Sequence, residues 1–554
     1  MKAAAIVIGI ILALLVIGII DRKRKERELL AKLRRNFAGP AKNNMNSKRR
    51  ATLGAYRDSL PARTYDIDSI TWNDLEMEGV FDELNRTQSS VGEEYLYASL
   101  FRPESGEDEL NRREALISLF SEREDVRLSA QKELACMGKL NNVSLYKYLT
   151  SFDGVKSDGY LRHLLPTIGF AAGIVLGILG YGFWCTLLLI FTAGYAIVTY
   201  YRRKSDVDPY LKAMTFVNSW IGSIHHMAKN VPAKGTVLEP ELEEMCREAH
   251  EFDSFRRGAW LLAPTDTDGD PLQMLFDYVR MLFHLDMIQF NRMYRILQVK
   301  EETLSRLFGE TGRIDMAIAV ASYRAYRSDW CLPELTKEST PLSFTDLCHP
   351  MIAKPVPNSL STGRSVLLTG SNASGKSTFL KTVAINAILA QTIHTVLGTS
   401  YKSVYYRIFS SMALRDDLAA KQSYYIVEIR SLKRILDAIG DGEPVICFVD
   451  EVLRGTNTAE RIAASGQILR YLADKGVLCF AATHDLELTD ILAESCLMYH
   501  FSETVTEDNV TFDYQLKDGK ATSRNAIALL RMFGYPTEIV EQADRDAKEY
   551  LAKS

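Results

Sequence analysis

Apolar and polar positions fall into three textures along the 554 residues. Two blocks are continuously apolar. Residues 3–20 form an 18-residue run, closed by Asp21-Arg22-Lys23-Arg24-Lys25. Residues 164–201 contain no charged side chain, with Gly180-Tyr181-Gly182 at the midpoint. Eighteen helical residues at about 1.5 Å each just cross a hydrocarbon layer of about 30 Å. The first block therefore predicts a transmembrane anchor over residues 1–20, its basic flank on the cytoplasmic side. A cleaved signal peptide competes with that reading, but only Lys2 precedes the run and no A-x-A site follows it. The second block is too long for one span and predicts a hairpin over 164–201. Arg162 and His163 precede it, and Arg202, Arg203 and Lys204 follow, so both flanks belong on one side. A buried soluble hairpin is the alternative. Glycines 169, 173, 177 and 180 suit close helix contact.

The second texture is helical. A basic juxtamembrane segment over 21–66, broken at Gly39-Pro40 and Asn43-Asn44, is expected to be loose and to touch anionic lipid. Leu75, Val80, Phe81 and Leu84 begin a helical core predicted over 67–160. Residues 205–340 continue it as a second helical part, with a buried or lever helix over 271–297. The third texture starts at residue 341. Short β-type runs at 365–369, 445–449 and 477–483 alternate with helices, the pattern of a parallel sheet covered on both faces. The fold class is thus a C-terminal α/β domain over 341–554, a mainly α-helical core and about three transmembrane helices.

Composition adds two limits. The net charge is −4, so the chain as a whole carries no field that draws a polyanion. The eight cysteines are scattered and never spaced C-x-x-C, which reads as reduced thiols without a zinc site or disulfide framework. The loop 266–270 is superficially like a calcium loop, but its glycine stands at position 4 and Asp277 at position 12, so a solvated turn is expected.

The chemistry concentrates after residue 365. Gly370-Ser371-Asn372-Ala373-Ser374-Gly375-Lys376-Ser377-Thr378 follows a β-prone run and precedes a helical pattern, the context of a phosphate-binding loop. Lys376 is expected at the β/γ-phosphates of ATP and Ser377 on Mg²⁺. The apolar run 445–449 ends in Asp450-Glu451, which suits a second Mg²⁺ ligand in Asp450 and a water-polarising base in Glu451. Phe480-Ala481-Ala482-Thr483-His484 ends another run, so His484 is expected on the ligand edge of the sheet as a second catalytic residue, sensing the γ-phosphate or the attacking water.

The order of these motifs resembles the MutS family of DNA mismatch-repair ATPases, relatives of the ABC ATPases. The resemblance includes Asp416-Asp417-Leu418-Ala419, Gln422-Ser423, Arg454-Gly455-Thr456-Asn457-Thr458 and Cys348-His349-Pro350. Weaker matches lie at Gly92, at Gly312-Arg313-Ile314-Asp315 and at Gly534-Tyr535-Pro536. It implies a P-loop NTPase fold (ABC/MutS-like) using ATP and Mg²⁺ and a homodimer with composite sites. Ser423, Asn457 and Thr458 would serve the partner's site, and C-terminal helices would support the dimer. DNA is the ligand the family implies; the alternative is a membrane-associated mechanochemical ATPase, or a nucleotide-dependent scaffold, acting on a protein partner at the lipid bilayer. Nothing before residue 67 matches the family's mismatch-reading or connector domains. Phe81-Asp82-Glu83 and Phe308-Gly309-Glu310 match the wedge string but sit in helical patterns. A multi-pass protein of the cell membrane with its ATPase domain in the cytoplasm is the expected arrangement.

Overall fold

The structure is a computed structural model. It describes all residues except 1, 42–44, 46, 141–143, 151–159, 263–270, 372–373, 413–423, 441, 454–455, 506–509, 522–526, 528–529, 532 and 554. Asn43-Asn44, the loop 266–270, Asn372, Ala373, Asp416 to Ala419, Gln422, Ser423, Arg454 and Gly455 therefore lie outside the described residues. The chain forms two compact units. One comprises Met1–Leu60, Asn85–Ala98 and Ala115–Tyr326; the other comprises Pro61–Leu84, Ser99–Glu114 and Arg327–Ser554.

The first unit is helical. Its elements used below are α1 (Lys2–Asn36), α2 (Tyr160–Ile178), α3 (Gly182–Asn230), α4 (Leu238–His250), α5 (Asp253–Arg256) and α6 (Glu301–Tyr326). Helix α1 runs unbroken through the basic cluster, where the sequence predicted a loose segment from residue 21. Ion pairs one turn apart, Lys25–Asp21 at 2.7 Å and Arg24–Glu28 at 3.1 Å, offset the crowding of positive charge. The breakers come only at Gly39-Pro40.

Helices α2 and α3 form the expected antiparallel hairpin, turning at Gly180 with φ 86°. The glycine stripe is its contact face. A Cβ on Gly169 would lie 2.5 Å from Thr192 Oγ1, and one on Gly173 would lie 2.6 Å from Leu189 Cδ2. The outer surface stays apolar: Ile178, Phe183 and Phe191 are 81%, 73% and 73% exposed. The expected number of spans needs correction. Among the described residues, one helix is long and apolar enough to cross a bilayer, Gly182–Lys204 within α3. The apolar part of α2, His163–Ile178, has 16 residues and reaches only about 24 Å. The side chains of residues 2–15 lie outside the described set.

The core of this unit joins segments far apart in sequence. Asp315 of α6 accepts from the Gln88 amide at 2.9 Å, the Ser89 amide at 2.8 Å and the Ser89 hydroxyl at 2.7 Å. Gly92 stands over the same carboxylate and leaves no room for a Cβ; Gly312 stands likewise against Tyr95. Full burial pushes the Asp315 carboxyl upward, opposed by these hydrogen bonds. Asp315→Ala would strand two buried amides at a cost of about 2–3 kcal/mol. Hydrogen exchange at Gln88 and Ser89 should then accelerate by at least about 30-fold; unchanged rates would show that the carboxylate does not hold the turn.

The second unit is built on a six-stranded sheet. Its strands are β1 (Ser365–Thr369), β2 (Arg407–Ser411), β3 (Val445–Asp450), β4 (Leu478–Ala482), β5 (Cys496–His500) and β6 (Lys517–Asp518). The order is β6-β5-β1-β4-β3-β2, parallel throughout except for β6. β1 and β4 are buried at every position and β3 at every position but Asp450, as a sheet covered on both faces requires. Helices α7 (Lys376–Thr392) and α8 (Thr458–Asp474) pack on it. A four-stranded sheet of Glu334–Thr336, Ser400–Val404, Leu342–Leu347 and Asn358–Thr362 completes the unit.

The predicted boundary at residue 341 also moves. Residues 61–84, 99–114 and 327–340 group with the sheet rather than with the helical core. The reason is the edge strand β2. Asp74 accepts from the Ser410 hydroxyl at 2.7 Å and the Met412 amide at 2.9 Å, and Thr71 Oγ1 accepts from the Ser410 amide at 3.1 Å. The short helix Ser69–Asp74 thereby caps an edge that would otherwise present open backbone groups. The two wedge-like strings fall in helices, Met77–Leu84 and α6, with Phe81 and Phe308 buried.

Candidate nucleotide-binding site

The site lies at the carboxyl ends of β1, β3 and β4, where an open α/β sheet places its ligand crevice. β1 ends at Thr369 and the chain turns through Gly370, whose φ is 140°. A Cβ there would lie 2.6 Å from the Phe501 carbonyl oxygen. Gly375, with φ 108°, caps the N-terminus of α7. Both angles favour glycine, and the second points the loop into the positive end of a 17-residue helix.

Within this loop Lys376 is buried, and its Nζ donates to the carbonyl oxygens of Gly370 at 2.8 Å and Ser371 at 2.7 Å. Burial lowers the ammonium's pKa, opposed by Asp450, Glu451 and Glu503. Ser377, the next residue, hydrogen-bonds Asp450 at the end of β3. Burial raises the Asp450 carboxyl, the Ser377 hydrogen bond lowers it, and the Glu451 charge raises it further. A hydroxyl and a partly buried carboxylate so paired fit a hard cation that keeps several waters. Among the described residues Ser374 Oγ is buried with no hydrogen-bond partner, a polar atom in the loop left for a ligand.

Glu451 leaves the sheet in the left-handed region, φ 57°, while its amide donates to the Ala482 carbonyl at 2.9 Å. Such a non-glycine angle costs about 1–3 kcal/mol and is held here by the strand ends on either side. Its carboxylate meets His484 Nε2 at 2.7 Å. The sequence placed Glu451 and His484 on the same edge without showing that they touch. Asn457 and Thr458 stand apart from this cluster at the exposed start of α8. The Asn457 side chain accepts from the Glu460 amide at 3.0 Å and is used as the helix cap.

Two features escaped the sequence reading. Ser371 donates to Glu503 at 2.6 Å, tying the loop to the hairpin that follows β5. A cavity of about 320 Å³ opens beside Gly375 and Thr378, walled by Ile352, Val356, His349 and Tyr514. It is the apolar, one-sided space that a planar base needs next to a phosphate loop. Neither feature has a fixed spacing from the P-loop in sequence, so no motif marks it. A larger cavity of about 1040 Å³ opens at the opposite, N-terminal ends of β1, β3 and β4, away from the loop.

His349 in the smaller cavity is buried and accepts from the Met351 amide at 3.2 Å. Burial holds its imidazole down to about 4. Between about pH 6.5 and 4 the unfolded chain binds the proton and the folded chain does not, so stability falls as pH drops through that window. The loss should reach about 3 kcal/mol by pH 4 and be absent above 6.5. Unfolding free energies of wild type and His349→Gln between pH 4 and 7 should diverge; parallel curves would contradict the assignment.

Comparison with known proteins agrees with this geometry. Residues 366–551 match the family described as MutS domain V. The chain is 32% identical over 272 residues to DNA mismatch repair protein MutS of Natronomonas pharaonis, covering 45% of this chain and 31% of the relative. It is 30% identical over 274 residues to the MutS of Leptospira interrogans, covering 47% and 32%. A protein of Haloarcula marismortui named DNA mismatch repair protein MutS 2 is 28% identical over 272 residues, covering 44% and 28%. The chain thus spans about three tenths of the length of these curated relatives. Lys376, Ser377, Asp450 and Glu451, gathered at one sheet edge, all lie inside the residues that are similar to MutS domain V.

Proposed function

We propose that this chain is a membrane-held MutS-type ATPase that binds ATP with Mg²⁺, hydrolyses it, and uses the cycle to switch a homodimer. The convergence of Lys376, Ser377–Asp450 and Glu451–His484 at the carboxyl ends of three strands carries the catalytic part. Ser377 and Asp450 would hold the Mg²⁺, which when bound supplies positive charge to the phosphate oxygens. Lys376 exchanges its contacts with the loop carbonyls for phosphate oxygens and takes up charge as the terminal phosphoryl group leaves. Glu451 accepts the proton of the attacking water, and His484 orients that carboxylate. Asn457, Thr458 and Ser423 would face the partner's nucleotide in the closed dimer.

The exposed apolar hairpin supports attachment to a bilayer, with the ATPase unit in the cytoplasm. The relatives' name points to DNA as the ligand. The hairpin favours a second reading, in which the switch acts on a protein partner at the membrane. Both are tested with the full chain in lipid vesicles, trapped with ATP by Glu451→Gln. Salt-sensitive binding to homoduplex, mismatched or four-way DNA supports the first reading. No binding to any of the three at low salt removes it and leaves the second. Failure of the chain to float with the vesicles would overturn the membrane attachment.

A further inference from the structure

A cluster outside the nucleotide site has the chemistry of a metal centre. His225 lies on α3, Cys246 and His250 on α4, and Asp253 on α5. Cys246 and His250 are four residues apart, so they share one face of their helix. Cys246 Sγ lies 3.6 Å from His225 Nδ1 and 3.8 Å from His250 Nε2. The three donor atoms all lie within 4.8 Å of one another. Zinc–sulfur and zinc–nitrogen bonds of about 2.3 and 2.05 Å at a tetrahedral angle give a sulfur–nitrogen edge of about 3.6 Å.

One carboxylate lies behind both outer ring nitrogens. Asp253 Oδ2 lies 3.1 Å from His250 Nδ1, and Asp253 Oδ1 lies 3.4 Å from His225 Nε2. One carboxylate thus meets both imidazoles from behind, and the nitrogens left over are those that face the thiol. Orientation of ligating histidines by a carboxylate on the far nitrogen is the usual outer shell of a zinc site.

We propose that His225, Cys246 and His250 bind one zinc-class divalent cation, with Asp253 as the positioning residue. A thiolate and two imidazoles suit a borderline-soft ion and exclude magnesium or calcium, which take oxygen donors. Three protein ligands leave a fourth position for water or an outside ligand, and His250 is exposed, so the site is open to solvent. The ion joins the C-terminal part of α3, the helix that also carries the apolar span, to α4 and α5. The C-x-x-C criterion misses it because the ligands come from two helices, with only Cys246-x-x-x-His250 visible in sequence.

The test is a Co²⁺ titration of the metal-free, full-length protein. One Co²⁺ per chain should bind with the visible bands of a tetrahedral site and a near-ultraviolet thiolate-to-cobalt band, all displaced by Zn²⁺. Cys246→Ser should lose the thiolate band, while Cys136→Ser, at an exposed cysteine elsewhere in the unit, should keep it. Asp253→Asn should weaken Zn²⁺ binding about 10- to 100-fold. The wild-type spectrum needs no variant to fold. An octahedral spectrum without a thiolate band, or a band that survives Cys246→Ser, overturns the proposal.

Discussion

Lys376→Ala should weaken ATP binding by more than about 100-fold while leaving the fold intact. The ammonium is buried, and its contacts in the structure are the loop's own carbonyls, Gly370 and Ser371. It therefore already stands inside the cradle and needs no new burial when phosphate arrives. Removing one partner of a desolvated, hydrogen-bonded charge pair costs about 2–5 kcal/mol, which sets the scale. The apo fold loses little, because burial already disfavours the charged lysine and the two carbonyls can take water through the open loop. Equilibrium binding of a fluorescent ATP analogue, with unfolding midpoints as the control, reads both halves. Binding within threefold of wild type would remove Lys376 from the phosphate site.

Glu451→Gln should separate binding from turnover. Glutamine keeps the size of the side chain, and its amide oxygen can still accept from His484 Nε2. The geometry at the end of β3 is thus retained while the proton acceptor is lost. A positioned general base is worth about 10²- to 10⁴-fold, so hydrolysis should fall by that factor with ATP affinity unchanged or tighter. The retained ATP should hold the dimer closed, which light scattering or sedimentation reads as a shift from monomer to dimer on adding ATP. His484→Ala removes the partner of the Glu451 carboxylate and should lower the rate less than Glu451→Gln, because the base itself remains.

The contrast between legible and illegible features follows the range of the interactions. β1, β3 and β4 were visible because both-face burial writes itself as unbroken apolar runs. Asp450 and Glu451 were visible because a strand that ends in carboxylates places them on the ligand edge. The α2–α3 hairpin was visible because its turn, glycine stripe and apolar surface are all local. The number of spans was not, since the usable helical length of α2 depends on where α2 ends, not on the absence of charge. The covering of β2 by residues 69–74 was hidden because Asp74 and Ser410 are 336 residues apart. The link from Ser371 to Glu503 and the cavity beside Gly375 were hidden for the same reason.

The His225–Cys246–His250 cluster shows how such long-range closure creates chemistry that spacing cannot announce. Its residues lie in a unit to which the domain V match does not extend.

Phosphate release from ATP, measured with the purified full-length chain at saturating ATP, with and without Mg²⁺, beside Glu451→Gln, tests the catalytic role of the sheet edge most directly. Mg²⁺-dependent turnover by the wild type, reduced at least about 100-fold in Glu451→Gln while ATP stays bound, is the predicted result. Equal rates in the two proteins, or turnover that is indifferent to Mg²⁺, would contradict it.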